Sequence, residues 1–132
     1  MTFALDPRLE ADTHFAADWP FCRVLVMNDA RYPWLVLVPR RERVREVTQL
    51  ETAQRTLLME EIFRAGRLLQ ALPEVAKLNI GALGNKVPQL HVHVVGRREG
   101  DPAWPEPVWG HSAAAPYDAG ALERILGLVR TG

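Results

Sequence analysis

One cysteine, Cys22, is all that the 132 residues contain. A disulfide framework within the chain is excluded, and so is a CxxC zinc pair, which points to a reducing compartment. Charge of either sign is not in excess: 16 Lys and Arg balance 16 Asp and Glu. The totals therefore give no electrostatic argument for nucleic acid or an anionic membrane as partner. Long apolar runs are missing too. Stretches such as Trp34 to Val38 are far too short to span a bilayer. The first residues carry Asp6, Glu10 and Asp12 and no apolar core of a signal peptide, so a cytoplasmic protein is expected. Internal repeats, low-complexity segments and linkers are absent, and the length fits one domain over residues 1–132.

What is present alternates between strand and helix patterns. Arg23 to Met27 and Trp34 to Val38 are β runs separated by turn residues Asn28-Asp29-Ala30-Arg31, which reads as an antiparallel hairpin. Leu9 to Phe15 suits a short strand or edge segment. Apolar residues at Leu50, Leu57, Leu58, Ile62, Ala65, Leu69 and Leu72 recur near a 3.6 period and predict one long helix over 48–72. Thr48 and Glu51 have capping-box spacing, with Thr52 an alternative cap, and Pro73 stops the helix. Lys77 to Ala82 alternates as a strand. Residues 97–117 form a long segment in which prolines interrupt Trp104, Trp109, His111 and Tyr117; two tryptophans argue for packing over the sheet, a site or a partner. A short helix over about 118–130 follows, with Asp118 as N-cap.

The chemistry concentrates in Gln89-Leu90-His91-Val92-His93-Val94-Val95-Gly96-Arg97. As a strand, this run sends Gln89, His91, His93 and Val95 to one face and Leu90, Val92 and Val94 to the core face. Next-but-one side chains stand roughly 7 Å apart. Three readings fit two imidazoles in such a row. They can decorate a solvated sheet. They can chelate a metal, as His-x-His does in all-β barrels with a following glutamate, but Glu99 lies beyond Gly96 and the long helix is foreign to such a barrel. Or one can attack phosphorus: neutral imidazole is a nucleophile near pH 7 when its other nitrogen is held, and the second histidine, Gln89 and the Gly84-Asn85 loop offer donors for the phosphate.

The order of these elements resembles the histidine triad (HIT) family of nucleotide hydrolases and transferases. The resemblance runs from about Arg23 to Arg97 and is most specific at Leu35-Val36-Leu37-Val38-Pro39-Arg40 and at 89–95. The family pattern is His-φ-His-φ-His-φ-φ, with φ apolar, and Gln89 takes the first histidine's place. A bacterial HIT-like subgroup carries this Gln-x-His-x-His form after Leu-Gly-Asn, here Leu83-Gly84-Asn85, and tends to show Asp-x-x-Trp-Pro, here Asp101 to Pro105. The resemblance implies an α+β fold, an antiparallel sheet of about five strands with the long helix packed on it and a short C-terminal helix. It implies a homodimer whose two sheets form one larger sheet. It makes His91 the nucleophile that forms a nucleotidyl-histidine on a nucleoside phosphoramidate, a dinucleoside polyphosphate or a related conjugate. His93 and Gln89 would assist catalysis, Gly84, Asn85 and Asn79 would contact phosphate or leaving group, and Asn28 or Asp29 would hold the ribose. No metal or other cofactor is required, with magnesium accompanying polyphosphate substrates. Glutamine cannot exchange a proton as histidine can, so the alternative is a nucleotide-binding protein with little turnover.

Overall fold

The two apolar runs of the expected hairpin pair as predicted, and the rest of a mixed α+β architecture is built around them. The computed structural model describes residues 3–132. Strands β1 (Thr13–Asp18), β2 (Cys22–Met27), β3 (Trp34–Pro39), β4 (Lys77–Gly81) and β5 (Val92–Arg97) form one sheet. Its order is β1-β2-β3-β5-β4. Every neighbouring pair is antiparallel. The helices are α1 (Pro7–Asp12), α2 (Thr52–Gln70) and α3 (Ala119–Thr131).

Strand alternation sorts the apolar residues into two sets. Val24, Val26, Leu35, Leu37, Val92 and Val94 face the helices and pack with Leu58, Ala65 and Leu69 of α2 and Ile125, Leu126 and Val129 of α3. Leu25, Val36, Val38 and Val95 face the other way, against Leu9, Tyr32, Ala103 and Val108. Leu90, Val92 and Val94 thus lie on a core face as expected. The face of the imidazoles is also buried, because the segment after β5 and the N-terminal residues cover it. That cover is pinned by a buried ion pair, Arg97 Nε to Asp101 Oδ2 at 2.8 Å. A second clasp joins Asp29 to Arg31 at 2.9 Å and accepts the Ala115 N–H.

Several boundaries differ from expectation for local reasons. The Leu9–Phe15 segment is half helix: the Asp6 side chain accepts the Arg8 N–H and Pro7 starts α1, where its missing donor costs nothing. The long helix begins at Thr52, not 48, and its reciprocal cap joins Glu51 to Gln54. Thr48 sits in a separate 3-10 turn, Val47–Gln49, capped in the same way by Glu46 and Gln49. Between the two, Leu50 is extended (φ −83°, ψ 142°) and buried, breaking the helix to fill the core. The Asp118 N-cap forms as read, accepting the Ala121 N–H. The Glu61 carboxylate on α2 accepts the N–H groups of Phe21 and Cys22 at 2.9 and 2.8 Å, fixing the helix to the start of β2. No helix of the described residues is long and apolar enough to cross a membrane.

Candidate active site

Regular pairing in the histidine run starts only at Val92, so Gln89 to His91 are not strand. The Leu90 N–H instead donates to the Val44 carbonyl at 2.9 Å, outside the sheet. His93 stands opposite Val36 on one side and Gly81 on the other. His91 and His93 are 6% and 5% exposed, with ring centroids 4.9 Å apart and planes at 69°.

The hydrogen bonds of the two rings fix opposite tautomers. His91 Nδ1 lies 2.7 Å from the Gln89 carbonyl oxygen. A carbonyl only accepts, so Nδ1 carries the proton and Nε2 keeps its lone pair. His93 Nδ1 lies 3.0 Å from the Trp34 indole nitrogen. An indole N–H only donates, so here Nδ1 holds the lone pair and Nε2 carries the proton. Burial, and secondarily the neighbouring His91, press the His93 pKa down from 6.5 to about 3. With His91 as neutral imidazole, the pair presents one nucleophilic nitrogen and one N–H donor.

His91 opens on a cleft of about 180 Å³ lined by Arg45 to Thr48, Ala82, Leu83, Gly84 and Leu90. Gly84 has φ +71°, which a side chain would strain, and its turn bends the 82–88 loop towards this cleft. Asn85 is the next residue of that loop and is exposed. The remaining predicted residues are bonded to the protein itself. Gln89 Oε1 accepts the Asp6 N–H and Nε2 donates to the Ala4 carbonyl, both at 2.9 Å. Asn79 Oδ1 accepts from Arg97 Nη1 at 2.7 Å. Asn28 Oδ1 accepts the Tyr117 N–H at 3.0 Å. Asp29 is buried; burial would raise its pKa, but bonds from Arg31 and Ala115 outweigh that and hold it below the ordinary value. Among the described residues no three His, Cys, Asp or Glu side chains cluster as metal ligands would, and Glu99 lies exposed in the turn after β5.

Residues 8–100 match the family model of the HIT domain. The chain belongs to the HIT family. Members of this family are generally hydrolases and transferases of nucleotide derivatives. Over almost its full length the HIT fold of this chain matches three solved bacterial histidine triad proteins. That from Bradyrhizobium japonicum is 46% identical, covers 99% of this chain and 98% of its own, and superposes with TM-score 0.96. That from Sinorhizobium meliloti is 42% identical, with 98% and 96% covered and TM-score 0.95. That from Marinobacter aquaeolei is 40% identical, with 99% and 96% covered and TM-score 0.89. No curated protein matches the chain.

Sequence reasoning passed over Trp34 and the N-terminal segment of this HIT site, and expected Trp109 only as part of a segment packed over the sheet, a site or a partner. Trp34 read as an apolar strand residue, yet it orients His93; alternation with Val36 places it on the histidine face once the β3–β5 register is known. Trp109 packs against both His93 and Trp34, at centroid distances of 5.5 and 6.5 Å. It also lies over Gly81, where an added Cβ would come within 3.3 Å of its ring. The N-terminal segment bound to Gln89 is announced by no local pattern in residues 3–6.

Proposed function

We propose that the protein is a nucleotidyl hydrolase or transferase in which His91 Nε2 attacks the α-phosphorus of a nucleoside 5′-phosphate derivative. The observation that carries this reading is the bond between His91 Nδ1 and the Gln89 carbonyl, which leaves the lone pair of Nε2 on the reactive side. A bond forms between Nε2 and phosphorus as the bond to the leaving group breaks, and the leaving group takes up a proton. Water then cleaves the nitrogen–phosphorus bond, releases the nucleoside monophosphate and restores the imidazole. His93 Nε2–H donates to a phosphate oxygen, and the Gly84-Asn85 loop supplies further donors, by backbone N–H and by the Asn85 amide. Asn28, Asp29 and Asn79 serve the site indirectly, by holding the cover over the sheet. The substrate class is a nucleoside phosphoramidate, a dinucleoside polyphosphate or a similar conjugate. The nucleophile needs no metal, and magnesium accompanies a polyphosphate.

The protein works as a homodimer in this reading. Met59 and Phe63, one turn apart on α2, are 61% and 62% exposed, and Ile80 and Leu83 are exposed on and just after β4. β4 is an edge strand, so a second copy can continue the sheet there. The test of the chemistry is release of AMP from adenosine 5′-phosphoramidate and from diadenosine tetraphosphate, wild type beside His91→Ala. Release that vanishes in the variant supports the nucleophile. No release by folded wild-type protein from either substrate replaces this reading with a nucleotide-binding protein.

A further inference from the structure

We infer that Gln89 is a positioning residue: by gripping the N-terminal segment it holds the carbonyl that keeps His91 in its nucleophilic tautomer. This rests on the reading of His91 as the nucleophile. It moves the glutamine away from the leaving group and makes residues 4–6 part of the working site.

The argument starts from the two ends of one amide. Oε1 accepts from the Asp6 N–H and Nε2 donates to the Ala4 carbonyl, each at 2.9 Å. The Ala4 carbonyl and the Asp6 N–H flank Leu5 on one edge of an extended segment, so the side chain imitates a strand partner. A primary amide suits this task because its oxygen and nitrogen point the same way. The two nitrogens of an imidazole diverge across the ring, and a histidine at this position could meet only one of the groups. The departure from the triad is thus matched by a feature of the fold that uses it.

The gripped segment is itself anchored. Arg8 pairs with Asp6 at 3.0 Å and donates to the Lys86 carbonyl at 2.8 Å. Phe3 and Leu5 pack on the apolar cluster of the histidine face, and Leu9 is buried within it. Gln89 is therefore held through its side chain, while the next residue is held through the Leu90 N–H on the Val44 carbonyl. The peptide between these two fixtures carries the oxygen that receives the His91 Nδ1 proton at 2.7 Å. A carbonyl held on both sides cannot swing away and let the ring exchange its proton to Nε2.

Two independent variants break the grip. Gln89→Met keeps the bulk of the side chain and loses both bonds. Asp6→Pro removes the N–H donor at a residue whose φ of −56° proline adopts readily. Asp6→Ala loses the same carboxylate but keeps that N–H, so the comparison of Asp6→Pro with Asp6→Ala isolates one bond. Gln89→Glu keeps an acceptor for Asp6 and should rescue in part. The readouts are kcat and KM on adenosine 5′-phosphoramidate, and the ring nitrogen shifts of 15N-histidine-labelled protein, which report the His91 tautomer without substrate. We expect kcat to fall roughly 10- to 100-fold, the scale of a slightly misplaced reacting group, with KM changed less than twofold. We also expect the His91 Nδ1–H signature to give way to a mixture in Gln89→Met and in Asp6→Pro. The inference is overturned if the tautomer is unchanged in Gln89→Met. It is equally overturned if Gln89→Met loses turnover while Asp6→Pro matches Asp6→Ala, since the amide would then act directly on the reacting groups. A wild-type protein without turnover would sink the proposed function, and the nitrogen shifts would still decide whether the grip sets the tautomer.

Discussion

Lowering the pH from 7 to 5 should cost the protein stability through His93, and the amount follows from its surroundings. The ring is 5% exposed, bonded at Nδ1 to the Trp34 N–H and packed against Trp109 and His91. Its pKa of about 3 in the folded protein lies below the 6.5 of the free side chain. Above pH 6.5 neither state holds the extra proton and nothing is lost. Between 6.5 and 3 the unfolded chain binds a proton that the folded one refuses, so stability falls as pH falls. At about 1.4 kcal/mol per pH unit the loss by pH 5 is about 2 kcal/mol. That is a sizeable part of the roughly 5–15 kcal/mol typical of a folded domain. His93→Phe fills the same aromatic surroundings and cannot titrate. It strands the Trp34 N–H, at a cost that is the same at every pH. Urea denaturation of both proteins at pH 7 and pH 5 is the assay. Wild type should lose about 2 kcal/mol more than the variant over that interval. Equal losses would refute the reasoning, because they would mean that the folded protein accepts the proton on His93 without penalty.

Trp34→Phe should leave His93 Nδ1 buried without a donor and cost about 1–3 kcal/mol. With the tautomer no longer held, kcat should drop at least roughly 10-fold; thermal melting and turnover would show both, and an unchanged kcat would remove Trp34 from the site. Asp101→Asn leaves the Arg97 guanidinium buried without its counter-charge and should cost about 3–5 kcal/mol in urea denaturation. A loss under about 1 kcal/mol would mean that water reaches the pair. Phe63→Glu, on the exposed apolar side of α2, should shift sedimentation from dimer to monomer without unfolding the chain. A monomeric wild type would end the dimer reading.

Much of the fold was legible because it is written in local periods. Apolar β runs marked β2 and β3, and alternation marked β4, to within a residue at most of their ends, and the 3.6 period marked α2 and α3. Errors fell where tertiary packing overrides a local pattern. Leu50 belongs to the apolar series of α2 but leaves the helix to fill the core, which moved the cap from Thr48 to Glu51. The six residues of α1 are too few to show a period, so Leu9 to Phe15 read as a strand. The cover of the histidine face by the Trp/Pro segment was expected in general, but which of its residues, Ala103, Val108 and Trp109, do the covering was not legible, because they lie in a proline-broken segment with no period.

The histidines, the Gly84-Asn85 loop and the split of Val92 and Val94 from His91 and His93 were properties of the sequence alone, since a two-residue repeat assigns faces without reference to anything distant. The state of each ring was not. Trp34 meets His93 across 59 residues and Asp6 meets Gln89 across 83. Strand register and the path of the N-terminal segment, which no short pattern encodes, bring those groups together. A hydrogen-bond partner decides which nitrogen of an imidazole carries the proton. Two chemically identical side chains in one short run thus become a lone pair and an N–H donor only once the chain has folded.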